Sequence, residues 1–296
     1  MSCLKYIVAT PKFLDSLIFS INHVYADREA FESTYLPLAP EKIIIQNASI
    51  YDGDGGEFFE TDVLVEDGKI IAIGKDLPFS NEFRVIDATG KWVTPGIIDI
   101  HSHMGVYPAP GVRTSSDGNE ATSPVTADVW AEHSIWVQDP QYALALAGGV
   151  TAFHILPGSA NLIGGRGVTV KNLQRVTINS MKFPDAPHSL KMACGENPIR
   201  VYGNRGQAPS TRMGNAAGYR KSWIQAEGYL RKLNEYEAKS DEAKELEYAP
   251  TRDLEMETLV GVLKGEILVH NHCYSCLLYT SPSPRDRTRC RMPSSA

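Results

Sequence analysis

Two histidines one residue apart, His101-Ser102-His103, close the apolar run Ile97-Ile98-Asp99-Ile100. In an extended strand, side chains at i and i+2 share a face. Both imidazoles can therefore offer a nitrogen to one divalent ion. Function gathers at the C-terminal ends of parallel strands in barrels and doubly wound sheets, which is where this pair falls. A second pair, His270-Asn271-His272, ends the apolar run Ile267-Leu268-Val269. Imidazoles from two strand ends, completed by oxygen ligands or water, make the coordination set of a zinc or iron site. One member of the second pair is enough. His272, deeper into the C-terminal end, is the expected ligand, and His270 on the same face is expected to bind substrate or pack.

Between the pairs, Glu196 follows the candidate strand Leu190–Cys194 by one or two residues. It reads either as a metal-ligating carboxylate or as an exposed loop carboxylate. Lys171 and Lys191 also lie on candidate strands, where a buried lysine can be carbamylated into a bridging ligand; Lys171 ranks behind Glu196 as the oxygen donor. The Gly-rich stretch from Gly158 to Gly167 lacks the registers of a nucleotide-binding loop. It reads as a substrate-enclosing loop with Arg166 or Asn161 facing the site, or as a plain connection.

The elements that must position these residues fall into two textures. From Lys42 to Val93 short strands alternate with turns, and Asp67-Gly68 between Asp62–Val65 and Ile70–Ile73 is a hairpin signal. Val85–Asp87 and Lys91–Val93 read as a further pair of strands around Ala88-Thr89-Gly90. Beyond Gly96 the chain alternates apolar runs with helical stretches, the pattern of βα units and a parallel sheet. The expected strands are Ile97–His101, Val150–Leu156, Val168–Lys171, Leu190–Cys194 and Ile267–His272, with a long polar helical region over 214–248 and a helix over 253–264 capped by Thr251. His133, His154 and His188 read as structural or surface residues.

The 296 residues carry 29 Lys+Arg against 35 Asp+Glu, a net charge of −6. That balance speaks against a nucleic-acid partner. No apolar run reaches the roughly 18–20 residues of a membrane span. Five cysteines are too scattered for a disulfide framework, and Cys273-x-x-Cys276 lacks the second pair of a zinc motif. Residues 1–40 read as a leader, either an interrupted signal peptide ending near Ala26 or a disordered segment, so a secreted or periplasmic location and a cytoplasmic one both stay open. Residues 275–296 have no periodicity, and the string from Leu277 to Asp286 resembles a translated sequencing adaptor.

The run Thr94-Pro95-Gly96-Ile97-Ile98-Asp99-Ile100-His101-Ser102-His103 resembles the first-strand metal motif of the amidohydrolase superfamily. Asp67–Gly74 is similar to the hairpin of that superfamily's accessory β domain, and Gly148-Gly149-Val150-Thr151 to its second-strand entry. Met192–Tyr202 with Ser210–Gly214 resembles the imidazolonepropionase-related branch. The resemblance implies an α/β fold: a small β-sandwich accessory domain (41–95), then the N-terminal part of a (β/α)8 metal-dependent hydrolase barrel (96–274). It implies one or two divalent ions, zinc first and iron or manganese after it, held by His101, His103, Glu196 and His272. Arg166 and His270 are the expected substrate contacts. The implied activity is hydrolysis of a carbon–nitrogen bond in a small amide, cyclic amide or dipeptide. The sixth-strand histidine and the general-base aspartate of the eighth strand have no counterpart here, so an inactive fragment is expected, about five of eight strands long. A homo-oligomer is compatible with the sequence. A catalytically inactive scaffold is the competing class, and the intact His-x-His argues against it.

Overall fold

The structure, a computed structural model, describes residues 30–39 and 41–273. Residues 1–29 and 40 of the expected leader, and the tail from Ser275 with Cys276, lie outside these residues.

The first sheet is built from β1 (Ile43–Tyr51), β2 (Glu57–Glu66), β3 (Lys69–Gly74), β4 (Arg84–Asp87) and β5 (Trp92–Val93). Asp67 and Gly68 both take positive φ, 52° and 71°, as a two-residue primed turn requires, and Glu66 pairs with Lys69 across it. Both strands expected around Ala88-Thr89-Gly90 form, and each runs parallel to β1, β4 along Ile43–Gln46 and β5 along Ser49–Ile50. A bulge at Asn47, at φ 58° with its N–H donated to Asp62 Oδ1 (3.0 Å), divides that edge of β1 in two. Ala48, Ile50, Val63 and Ala88 form a small core. The described strands make one sheet layer here.

The second sheet contains β6 (Ile97–Ser102), β7 (Val150–Ile155), β8 (Ile163–Lys171), β9 (His188–Cys194) and β10 (Ile267–Cys273), in the order β10-β9-β8-β7-β6. α1 (Gln141–Ala147) precedes β7. After β9 come α2 (Glu196–Gly203), α3 (Arg212–Glu237), α4 (Asp241–Glu245) and α5 (Leu254–Lys264). β6 and β7 are parallel, as are β9 and β10, but β8 runs antiparallel to both of its neighbours. This corrects the expectation of a wholly parallel sheet. The segment 156–162 is too short for the dozen or more residues that a parallel crossover needs.

The same strand corrects the expected Gly-rich loop, since residues 163–167 open β8. Gly165 sits at φ 110°, and a Cβ there would lie 2.4 Å from the Val129 carbonyl oxygen. The glycines let a crossing backbone close on the strand, and Arg166 N–H donates to Val129 O (2.8 Å).

Leu190, Met192 and Cys194 face α3 and α5, packing with Tyr219, Trp223, Leu259 and Val260. Ser189, Lys191 and Ala193 therefore point to the opposite face of β9. α5 is capped by Asp253, whose Oδ1 accepts from Met256 N–H (3.1 Å), rather than by Thr251. A disulfide joins Cys194 to Cys273, directly opposed across β9 and β10, so the scattered cysteines do form one bridge. Among the described residues no helix is long and apolar enough to cross a membrane.

Glu255, in the first turn of α5, has its carboxyl pushed up to about 7 by burial, then by the charges of Asp128 and Asp253. A folded-state value above the usual 4.5 means that the fold holds this proton more tightly than the unfolded chain does. The contribution is fully present below pH 4.5 and is lost as pH rises to 7. Glu255→Gln should therefore stabilise the protein above pH 7 and change little at pH 4.5. Urea midpoints at the two pH values check this, and an equal shift at both would refute it.

Candidate metal centre

β6 and β10 occupy opposite edges of the five-stranded sheet. In a flat sheet, four spacings of about 4.8 Å would separate them by about 19 Å. Yet the His101 and His272 ring centroids are 6.5 Å apart, and those of His101 and His103 are 5.5 Å apart. The sheet is thus curled into a half-barrel, and side chains from its two edges meet inside it. His154 of β7 likewise stacks on His270 of β10, centroids 4.6 Å apart.

At the centre lies Lys191, fully buried on the inward face of β9. Its Nζ donates to Pro157 O (3.0 Å) and lies 3.2 Å from His101 Nε2. No carboxylate accompanies this amine among the described residues, and burial alone pushes its pKa down to about 8. The imidazoles around it are held neutral. His101 is pushed down to about 4, by burial first and the Lys191 charge second. His103 and His272 are lowered mainly by burial. A carbonyl only accepts, so the 2.8 Å contact of His103 Nδ1 with Leu156 O places the ring proton on Nδ1 and leaves Nε2 with its lone pair outward.

The other expected site residues fall differently. Glu196 is exposed on the first turn of α2 and forms no ion pair or hydrogen bond with the histidines among the described residues. Arg166 is 2% exposed inside β8, its guanidinium 3.9 Å over the Trp130 ring. Lys171 extends its ammonium over the rings of Tyr35 and Phe183, 4.5 and 4.6 Å away. His154 spends both ring nitrogens on hydroxyls, Thr169 Oγ1 (2.9 Å) and Ser189 Oγ (2.7 Å). Lys191, left level with Lys171 as a carbamylation candidate by the sequence, is the lysine that the sheet brings beside His101. Its signal was parity: a lysine amid the buried run Leu190–Cys194, in step with Ser189 and out of step with the apolar face.

Among the described residues no three His, Cys, Asp or Glu side chains form a closed metal-ligating group. The donor set nevertheless fits a divalent ion once Lys191 is included. Three neutral imidazoles surround a buried amine that has no counter-ion among the described residues, and one of them is oriented by a backbone carbonyl.

No family model matches the chain. It is 34% identical over 273 residues to amidohydrolase tasK of Hapsidospora irregularis, a match covering 81% of this chain and 27% of that protein. It is 45% identical over 74 residues to a dihydroorotase of Lactobacillus helveticus, covering 25% of this chain and 16% of the relative. The solved structure of an amidohydrolase from Thermotoga maritima superposes with a TM-score of 0.70 at 39% identity, covering 79% of this chain and 59% of that one. The chain is a member of the amidohydrolase superfamily. It spans little more than a quarter of the length of tasK.

Proposed function

We propose that this chain carries the metal-binding half of a hydrolase that cleaves carbon–nitrogen bonds in small amides, cyclic amides or dipeptides. The observation that carries the reading is the convergence of His101, His103 and His272, from opposite sheet edges, on the buried Lys191. His101, His103 and His272 would hold one or two divalent ions, zinc first. Lys191 would supply the bridging oxygens in the place expected of Glu196. For that, its neutral amine adds to carbon dioxide, forming an N–C bond and releasing one proton, and the product is a carbamate anion. A bound ion of this kind lowers the pKa of water from about 15.7 towards 7 and polarises the scissile carbonyl.

The chain's own contribution is positioning. The Leu156 carbonyl fixes the His103 tautomer and the Pro157 carbonyl holds the Lys191 side chain inward. Proton transfer to the leaving nitrogen falls to an aspartate outside the described strands. Ile97, Ile98 and Ile100 on β6 and Leu268 and Val269 on β10 are exposed along the two sheet edges, which supports further strands closing the barrel between them. Tyr51, Phe58, Phe59 and Trp92 are exposed on the first sheet, which supports a covering layer that would complete a sandwich.

The test is metal content and amide hydrolysis, in this chain and in a version extended by the strands that close the barrel. Zinc, iron or manganese should be retained and largely lost in His101→Ala plus His103→Ala. Hydrolysis should need the extension, since a positioned general base supplies roughly 10²–10⁴-fold. Equal metal content in wild type and the double variant would sink the reading.

A further inference from the structure

Beside His103 the surface opens into a cavity of about 330 Å³ whose walls include Tyr107, Asn119, Ser159, Asn197 and Arg200. Four of these carry neutral polar groups, and Arg200, on α2, is the one cation among the lining residues. Glu196 stands one helical turn before Arg200, yet the two form no ion pair, and Arg200 meets no other carboxylate among the described residues. An arginine left without an anion on the wall of a cavity is a recognition group with an open partner position.

The neutral groups are arranged to help it. The Ser159 hydroxyl accepts from Asn197 Nδ2 (2.6 Å), which leaves its own proton to donate. The Tyr107 hydroxyl accepts from the Asn119 amide in the same way. This pair stands where it does because residue 158 is glycine. A Cβ there would come within 2.4 Å of Asn119 Nδ2 and 2.6 Å of the Tyr107 hydroxyl. The wall thus presents one guanidinium and two hydroxyl protons, with no carboxylate to repel an anion.

We propose that Arg200, with Ser159 and Tyr107, binds a carboxylate of the substrate, so that the enzyme selects small amides bearing a carboxylate close to the scissile bond. One guanidinium balances one negative charge, which favours a monoanionic carboxylate over a phosphate. The proposal rests on the hydrolase reading of the adjacent histidine cluster, and its test separates the two.

Levulinate, a ketone that matches N-acetylglycine in shape and cannot be hydrolysed, reports binding without turnover. Titrated into the metal-loaded full chain, it should bind saturably and at least about 10-fold more tightly than its carboxamide. Arg200→Gln should weaken it about 10- to 100-fold, the range of a charge-assisted hydrogen bond, and Arg200→Lys should recover part of the loss. In kinetics of the version extended with the barrel-closing strands, the preference for N-acetylglycine over N-acetylglycinamide, and for dihydroorotate over its carboxamide, should collapse towards one in Arg200→Gln. Levulinate binding that depends on Arg200, with no hydrolysis of any amide even by the version extended with the barrel-closing strands, would support the carboxylate site and overturn the hydrolase reading. Hydrolysis of carboxylate and carboxamide at equal kcat/KM would do the reverse. Equal levulinate affinity in wild type and Arg200→Gln, or no binding, overturns the site.

Discussion

Lys191→Met is expected to remove the metal and, in the version extended by the barrel-closing strands, to lower turnover by roughly 10³-fold or more, beyond the 10–100-fold that follows loss of a ligand's outer partner. The substitution keeps the aliphatic stem and deletes the amine that would become the bridging carbamate. The stability of the metal-free protein should move the other way. Lys191 is fully buried, and its amine is met by the Pro157 carbonyl and His101 Nε2 but by no carboxylate among the described residues. Replacing a buried charge with an apolar side chain of similar volume is often neutral or stabilising, by up to about 1–4 kcal/mol. A fold that becomes no less stable while it loses its metal separates a ligand from a merely structural lysine. Two further arms decide between oxygen donors. Depleting bicarbonate during metal loading should reduce the metal bound by wild type, whereas Glu196→Gln should leave it unchanged. Normal metal content in Lys191→Met together with loss in Glu196→Gln would return the ligand role to Glu196.

The parts of the fold that the sequence makes legible are those specified locally. Asp67-Gly68 declares its hairpin because the turn needs two positive-φ residues in succession, and both adopt them. His101 and His103 declare a common face because a strand's period is fixed by its backbone. What the sequence hides depends on partners distant along the chain. The glycines from 164 to 167 look like a loop until the Val129 backbone crosses them, and the same run then becomes a strand. Lys191 looks no better placed than Lys171 until the curl of the sheet brings β6 and β10 around it. Cys194 and Cys273 are 79 residues apart, and only the β9–β10 register sets them opposite each other. Asp253 displaces Thr251 as the cap of α5 because the helix starts at Leu254, a boundary that either oxygen-bearing side chain could have marked.

The loop that follows the first histidine pair is held by one carboxylate, and removing it should cost the most stability of any single polar change near the site. Asp139 is 1% exposed and precedes α1. Its Oδ2 accepts from Gly105 N–H (3.2 Å) and Gln141 Nε2 (2.9 Å). Its Oδ1 accepts from Ala109 N–H (3.3 Å) and Gln141 N–H (3.0 Å). Gly105 lies two residues past His103 at φ 76°, and its carbonyl accepts from Trp136 N–H (3.0 Å), so this segment is clamped from both sides. Asp139→Ala would strand the buried Gly105 N–H and the half-buried N–H groups of Ala109 and Gln141, a buried donor costing about 1–3 kcal/mol when unsatisfied. The expected loss is about 3–5 kcal/mol, read as a lower urea midpoint at constant m-value. Asp139→Asn should fall between, since it keeps one acceptor oxygen and turns an NH2 towards the donors. Metal affinity should decline as well, although Asp139 makes no contact with the histidines, because His103 enters this loop and a ligand displaced by about 1 Å can cost 10²-fold. Unaltered stability in Asp139→Ala would mean that the loop owes its shape to the Val106, Tyr142 and Phe153 cluster beneath it rather than to the carboxylate.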